Sequence, residues 1–220
     1  MIPAEPHGAS TVTFGGIEIG TSPGVIEPRE WTRLQSRWGA ELAADAPAGP
    51  VYELFAGGGQ IGLECARLAR RSVVLVDQNP LACALARRNA ERNGLHARVR
   101  VLCSPVDPTV FDLVDPVVIL ADPPYVPSPS VDEYPEDPPE AIDGGGDGLS
   151  LARLALRCAA HQINRGVPLL LQLRDEHQAL ELAHGSAPLL GRLGIALEEV
   201  RVTPRGAVAL FRAPLRGRAR

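Results

Sequence analysis

Val117-Val118-Ile119-Leu120-Ala121-Asp122-Pro123-Pro124-Tyr125 is the stretch on which the reading of this chain turns. An apolar run opening on three β-branched residues stops abruptly at Asp-Pro-Pro-Tyr. β-Branched side chains favour an extended, buried strand. Pro123 and Pro124 each fix their own φ and lack an N–H, and each turns the preceding residue away from helix. Asp122 is therefore expected in extended geometry at the carboxyl end of a strand, on a stiff loop. In open α/β sheets that edge is where ligands gather. Two readings follow. The stretch is a rigid turn, or it is a clamp in which a carboxylate, prolyl carbonyls and an aromatic face grip a planar NH2 group.

Outward from this stretch, strands and helices alternate. Val51-Tyr52-Glu53-Leu54-Phe55 reads as a strand, 56–59 as a glycine turn and 60–70 as a helix. Val73 to Asp77 forms the next strand. Pro80 suits the first turn of the following helix and Asn93-Gly94 its end. Residues 98–103 alternate as a third strand, and the run above is the fourth. Residues 149–164 form a helix, 167–173 a fifth strand, and Asp175 is placed to cap another helix. Residues 197–202 and 207–211 flank Pro204-Arg205-Gly206 as a closing hairpin. Before all this come a short hairpin around Gly15-Gly16 and a helix over 30–44, with Trp31, Leu34, Trp38 and Leu42 on the packing face. Repeated β–α alternation predicts an α/β fold, a mostly parallel sheet covered on both faces with an antiparallel edge. The chain divides into an N-terminal arm over 1–50, a main domain over 51–212 and a basic tail over 213–220.

Hydrophobic residues make up 45% of the 220 and charged residues 22%, the balance of an ordinary globular protein. The formal net charge of −4 argues against a large nucleic-acid footprint, which needs a basic face. Cys65, Cys83, Cys103 and Cys158 have no zinc-site spacing and read as buried thiols of a reducing cytoplasm. The start lacks a signal-peptide pattern, and no apolar run reaches membrane-spanning length. The five histidines form no ligand pattern, so no metal site is expected. Residues 126–148, rich in Pro, Gly and acids, read as an irregular loop beside the site. Its acids Asp132, Glu133, Glu136, Asp137 and Glu140 read as solvated, or else as the wall of a pocket for a cationic substrate.

Two further stretches carry chemistry. In Glu53-Leu54-Phe55-Ala56-Gly57-Gly58-Gly59-Gln60 a strand enters a glycine turn and then a helix. Glycine lets backbone approach a ligand closely, and the helix start offers free N–H groups. A tight structural turn is the alternative, and the full Gly-x-Gly-x-x-Gly spacing is missing. Asp77 ends the next strand twenty residues past Gly57. A carboxylate there caps a helix or accepts hydrogen bonds from ribose hydroxyls.

Together these stretches resemble a class I S-adenosylmethionine-dependent methyltransferase with a Rossmann-like fold, of the HemK/PrmC family of protein-(glutamine-N5) methyltransferases. Such a fold implies a seven-stranded sheet with an antiparallel C-terminal hairpin. Residues 24–29 resemble the family's extended arm, and 53–59 its glycine loop. Residues 76–80 and 86–90 resemble its ribose strand and next helix, and 122–125 its Asn-Pro-Pro-Tyr. Pro139-Glu140-Ala141-Ile142-Asp143-Gly144-Gly145-Gly146-Asp147-Gly148-Leu149 resembles its Ala-Leu-Asp-Gly-Gly-x-Asp-Gly-Leu loop, the most specific of the five.

The resemblance implies that Glu53, Phe55, Ala56, Gly57, Gly58 and Gly59 line the cofactor's methionine part. It puts Asp77 and Gln78 at the ribose and Ser104, Pro105 and Val106 at the adenine. Asp122 and the Pro123 carbonyl would accept the acceptor's N–H bonds, Asp122 also facing the cofactor. Tyr125 would stack on the acceptor, and Pro124 and Arg29 would border it. Three departures stand out. Asp122 replaces the family's Asn, as in enzymes that methylate exocyclic amines of nucleobases. The glycine loop opens with Phe55-Ala56. Fewer residues precede Val51 than the family's helical substrate domain needs. The expected activity is N-methyl transfer to an amide or amine of a small molecule or of a peptide or protein side chain. A nucleic-acid amine methyltransferase and a non-catalytic cofactor binder are the alternatives.

Overall fold

The computed structural model describes residues 10–214. Residues 1–9 of the N-terminal arm and, apart from Ala213 and Pro214, the basic tail read over 213–220 lie outside these residues. Strands β1 (Thr11–Phe14) and β2 (Ile17–Gly20) form a separate hairpin. A 3-10 turn, Glu30–Thr32, leads into α1 (Arg33–Ala44). Then follow β3 (Val51–Leu54), α2 (Gln60–Ala69), β4 (Val73–Asp77), α3 (Pro80–Arg92), β5 (Val99–Cys103) and β6 (Val118–Ala121). The chain continues through α4 (Pro139–Ile142), α5 (Ser150–Asn164), β7 (Leu169–Leu173), α6 (Glu176–Gly185), α7 (Ala187–Leu193), β8 (Ala196–Thr203) and β9 (Gly206–Arg212).

The main sheet has the order β5-β4-β3-β6-β7-β9-β8. β5 to β7 pair in parallel, and β9 runs antiparallel to both β7 and β8. The seven strands and the antiparallel hairpin are those expected from the sequence. The chain leaves β3 toward β4 and β5, then returns to β6 on β3's other side. That reversal opens a crevice beyond the carboxyl ends of β3 and β6.

Period-two alternation divides the core between the two faces of the sheet. Tyr52 and Leu54 point to the face covered by α5, α6 and α7, where Leu156, Ile163 and Phe211 are also fully buried. Val51 points to the other, with Leu75, Leu120, Ile61 and Trp38. Phe14, Ile17 and Ile19 of the N-terminal hairpin join this second cluster. The buried Asn89 side chain holds the hairpin to α3, accepting from Gly20 N at 2.8 Å.

The N-terminal helix packs differently from its apolar periodicity. Of the expected packing residues only Trp38 is buried; Leu34 and Leu42 are half-buried, and Trp31 precedes the α-helix. The buried face is Gln35, Ser36, Gly39 and Ala43. These small or polar side chains let α1 lie close to the sheet: a Cβ on Gly39 would stand 2.8 Å from Leu120 Cδ2. Ser36 Oγ donates to Ile61 O at 3.0 Å, and Gln35 Nε2 donates to the carbonyls of Ala121 and Leu170, both at 2.9 Å. Asp175 caps α6 as expected, accepting from Gln178 N. Cys103 is exposed, against expectation, because β5 is the sheet's edge strand; the other three thiols are buried. No helix of the described residues is long and apolar enough to cross a membrane.

Candidate active site

A cavity of about 740 Å³ opens over the carboxyl ends of the central strands. Its first wall is the loop after β3. Phe55 has a φ of +59°, in the left-handed region that L residues with a Cβ rarely occupy. Such a conformation costs about 1–2 kcal/mol and persists where the surroundings over-determine it. Here the ring lines the cavity while packing against the α5-side core. Gly57 follows with φ +51°, and the space where its Cβ would point is empty for 4 Å. Its backbone is thus bare toward the cavity. Gly59, with φ +81°, is glycine for another reason: a Cβ would meet Leu75 Cδ1 at 2.8 Å as α2 packs on β4.

The carboxylate of Asp77 holds this loop in place. It accepts from Gly57 N and from Asn79 N, both at 2.8 Å, one through each oxygen. Each oxygen keeps a lone pair for a donor in the cavity. Gln60, at the first position of α2, also borders the cavity, and its Oε1 is buried without a donor.

The second wall is the loop after β6. Asp122 and Tyr125 are half-buried and both line the cavity. Burial pushes the Asp122 carboxyl up to about 7, and no donor among the described residues offsets it. Burial also raises the Tyr125 phenol, with the Asp122 charge adding to the effect. Trp31 stands near Tyr125, its Nε1 buried without a partner of hydrogen-bond geometry.

A roof crosses the cavity from the N-terminal side. Arg29 forms an ion pair with Asp137 of the long loop, joining the two covers of the cavity. Arg29 and Arg205 stand over the Trp31 ring with guanidinium carbons 5.8 and 5.7 Å from its centroid. Asn79 Nδ2 reaches Gly24 O at 3.4 Å, so the same segment also touches the Asp77 side.

Phe55, Gly57, Asp77, Gln78, Val106, Asp122, Pro123, Pro124, Tyr125 and Arg29 therefore share one cavity. Glu53, Ala56, Gly58, Gly59 and Ser104 do not line it. Glu53 is buried inside the fold, where its Oε2 accepts from Gly62 N at 2.9 Å and so caps α2. Burial keeps its carboxyl well above the usual range, with Asp122 and Asp77 adding to the rise. Ala56 is buried, its N–H given to Val76 O. Gly58 faces Asn89 and Leu85. The chain after β5 presents Pro105 and Val106 to the cavity in place of Ser104, whose N–H is turned to Asp77 O.

Sequence reasoning missed Gln60 and misread Trp31 as a packing residue. Arg174 and Arg205 at the rim had no local signal, since β7 and the β8–β9 turn meet the site only through the sheet order. Of the loop acids, for which both a solvated face and a pocket wall were open, all but Asp132 border the cavity, and Glu133, Glu136 and Glu140 are exposed as well. Among the described residues no group of three His, Cys, Asp or Glu side chains stands together to hold a metal.

Comparison with known proteins bears on this geometry. The family model described as Conserved hypothetical protein 95 matches residues 40–134. A release factor glutamine methyltransferase of Geobacter sulfurreducens is 37% identical over 74% of this chain and 58% of its own. A putative protein N5-glutamine methyltransferase of Methanocaldococcus jannaschii is 32% identical over 64% of this chain and 67% of its own. The chain belongs to the HemK/PrmC family of protein-(glutamine-N5) methyltransferases. It spans about 58% of the length of the Geobacter relative. Among solved structures, the human methyltransferase 10 domain containing protein superposes with a TM-score of 0.68, at 15% identity, over 90% of this chain and 88% of its own. That likeness places the chain in the Rossmann-like methyltransferase fold. Within the family frame, Asp122 stands where the resemblance has Asn, and Phe55-Ala56 opens the glycine loop.

Proposed function

We propose that this chain is an S-adenosylmethionine-dependent N-methyltransferase whose acceptor is a side-chain amide of a protein, as in its glutamine-methylating relatives. One observation carries the reading. The bare Gly57 backbone with Asp77, and the clamp of Asp122 to Tyr125, face into the same cavity from adjacent strands, β3 with β4 on one side and β6 on the other.

The residues present fit such a cofactor. Asp77 offers carboxylate lone pairs to ribose hydroxyls. Gly57 leaves room for close approach, and the orphaned Gln60 Oε1 is an acceptor suited to an ammonium. Val106 and Pro105 give an apolar border for a base. When bound, the cofactor supplies an electrophilic methyl group.

The chain's own residues then position the acceptor. Asp122 and the Pro123 carbonyl accept the two N–H bonds of a planar NH2 group, and Tyr125 packs on its face. The nitrogen lone pair is thereby turned from the clamp toward the donor side. Holding it in line at about 3 Å converts a bimolecular encounter into a positioned one. Positive charge grows on the nitrogen as the bond forms, and an ionised Asp122 opposes it more strongly than an amide would. The same carboxylate can take the proton released by the methylated nitrogen.

The test is transfer of label from methyl-labelled S-adenosylmethionine to a purified bacterial release factor, the substrate in the name of the Geobacter relative. Label in a protease-sensitive product, on a glutamine by mass spectrometry, supports the reading. Label appearing only in a nuclease-sensitive product from a cell extract refutes it in favour of a nucleic-acid amine. Saturable cofactor binding with no transfer to any acceptor refutes the catalytic reading.

A further inference from the structure

The loop that carries the most family-specific motif touches the clamp through its backbone. A Cβ on Gly144 would lie 2.7 Å from Pro124 O, and one on Gly148 would lie 2.4 Å from Tyr125 O. Val126 N donates to Ile142 O and Gly144 N donates to Val126 O, at 2.9 and 2.8 Å. Asp143 and Asp147 turn their carboxylates onto their own loop: Asp143 accepts from Ser128 Oγ and Gly145 N, and Asp147 accepts from Leu149 N while pairing with Arg153. The motif thus buttresses the clamp from behind, its glycines there to let two backbones meet.

One side chain joins this buttress to the sheet. Gln178 of α6 is 1% exposed. Its Nε2 donates to Tyr125 O at 3.0 Å and reaches Gly148 O at 3.5 Å. Its Oε1 accepts from Arg174 N, just past β7, at 3.0 Å. One amide therefore spans the clamp, the glycine-rich loop and the end of β7. Gln178 is not among the residues lining the cavity, so the bond orients the ring without touching an acceptor.

We infer that Gln178 is a positioning residue: by holding the Tyr125 carbonyl it fixes the ring and, through the two prolines, the Asp122 carboxylate against the acceptor. The inference rests on the methyl-transfer reading. Gln178→Glu keeps the shape and the acceptor for Arg174 N but sets a carboxylate oxygen against two carbonyls; Gln178→Met removes all three hydrogen bonds of the amide at similar volume. Both variants are expected to lose about 10- to 100-fold in kcat on release factor. Acceptor KM and cofactor Kd should stay within about threefold, with kcat normalised to the cofactor-binding stoichiometry by calorimetry. A merely structural role would lower that stoichiometry and leave normalised kcat unchanged, which overturns the inference. Hydrogen exchange gives a readout independent of turnover. The amides of Val126 and Gly144, bonded to Ile142 O and Val126 O, should exchange faster in both variants while those of β4 and α3 do not. Unchanged exchange there overturns the positioning role, whereas faster exchange in a protein that transfers no label to any acceptor supports the clamp's dependence on Gln178 and sinks only the methyl-transfer reading.

Discussion

Asp77 and Asp122 end two strands that flank the same central strand, and their surroundings are opposite. Asp77 has a backbone N–H on each oxygen, supplied by Gly57 and Asn79. Asp122 has none, and burial alone lifts its carboxyl toward neutrality. A carboxylate already satisfied by its own fold is a fixed part of the wall. One left buried and unsatisfied is under tension until a donor arrives. In the proposed reaction the donor side of the cavity is thus built in advance, while the acceptor side is completed by what binds there.

Four changes break or sharpen that contrast. The largest effect is expected from Asp122→Ala: kcat should fall by about a thousandfold or more, with cofactor Kd within about threefold by calorimetry. Comparable loss in binding and turnover would mean that Asp122 belongs to the donor side. Next is Asp77→Ala, which removes the proposed ribose acceptor and frees two backbone N–H groups. Cofactor Kd should rise about 10- to 100-fold, with acceptor KM little changed.

Third is stability against pH. The folded-state pKa of Asp122 lies at about 7, above its unfolded value, so the folded state binds the extra proton. Stability from this group is full below the unfolded pKa and is lost as pH rises through about 7. Asp122→Asn should therefore be more stable than wild type at pH 8, by on the order of 2 kcal/mol after allowing for water in the cavity, and gain nothing at pH 4. Chemical denaturation at the two pH values reads the difference. The smallest effect is that of Arg29→Ala, which opens the roof's ion pair with Asp137. The cost should be about 1 kcal/mol or less, a shift of about 2–4 °C in Tm.

The same contrast governs what could be read from the sequence. The succession of strands and helices, the glycine loop, Asp77 and the Asp-Pro-Pro-Tyr clamp are local patterns: a period, a turn chemistry, a residue at a strand end. Gln178 and Gln35 were not legible, because their partners lie 53 and 86 positions away and are backbone carbonyls, which have no sequence signature. Trp31 was misread since an aromatic at helical spacing looks the same whether it faces a core or a cavity. Glu53 was assigned to the cofactor from its place in the motif, whereas its carboxyl points down the strand onto the start of α2. The buried face of α1 was hidden for the converse reason. Close packing there selects small and hydrogen-bonding residues beside the one large apolar residue, Trp38.

Whether Asp122 must be ionised to receive the acceptor is the point on which the account stands. Single-turnover methyl transfer, at saturating cofactor and from about pH 5.5 to 8.5, compares wild type with Asp122→Asn. Burial raises the Glu53 carboxyl in both proteins, so only the difference reports on Asp122. The wild-type rate should climb through about pH 7 and the variant's should not. Superimposable profiles would contradict the account.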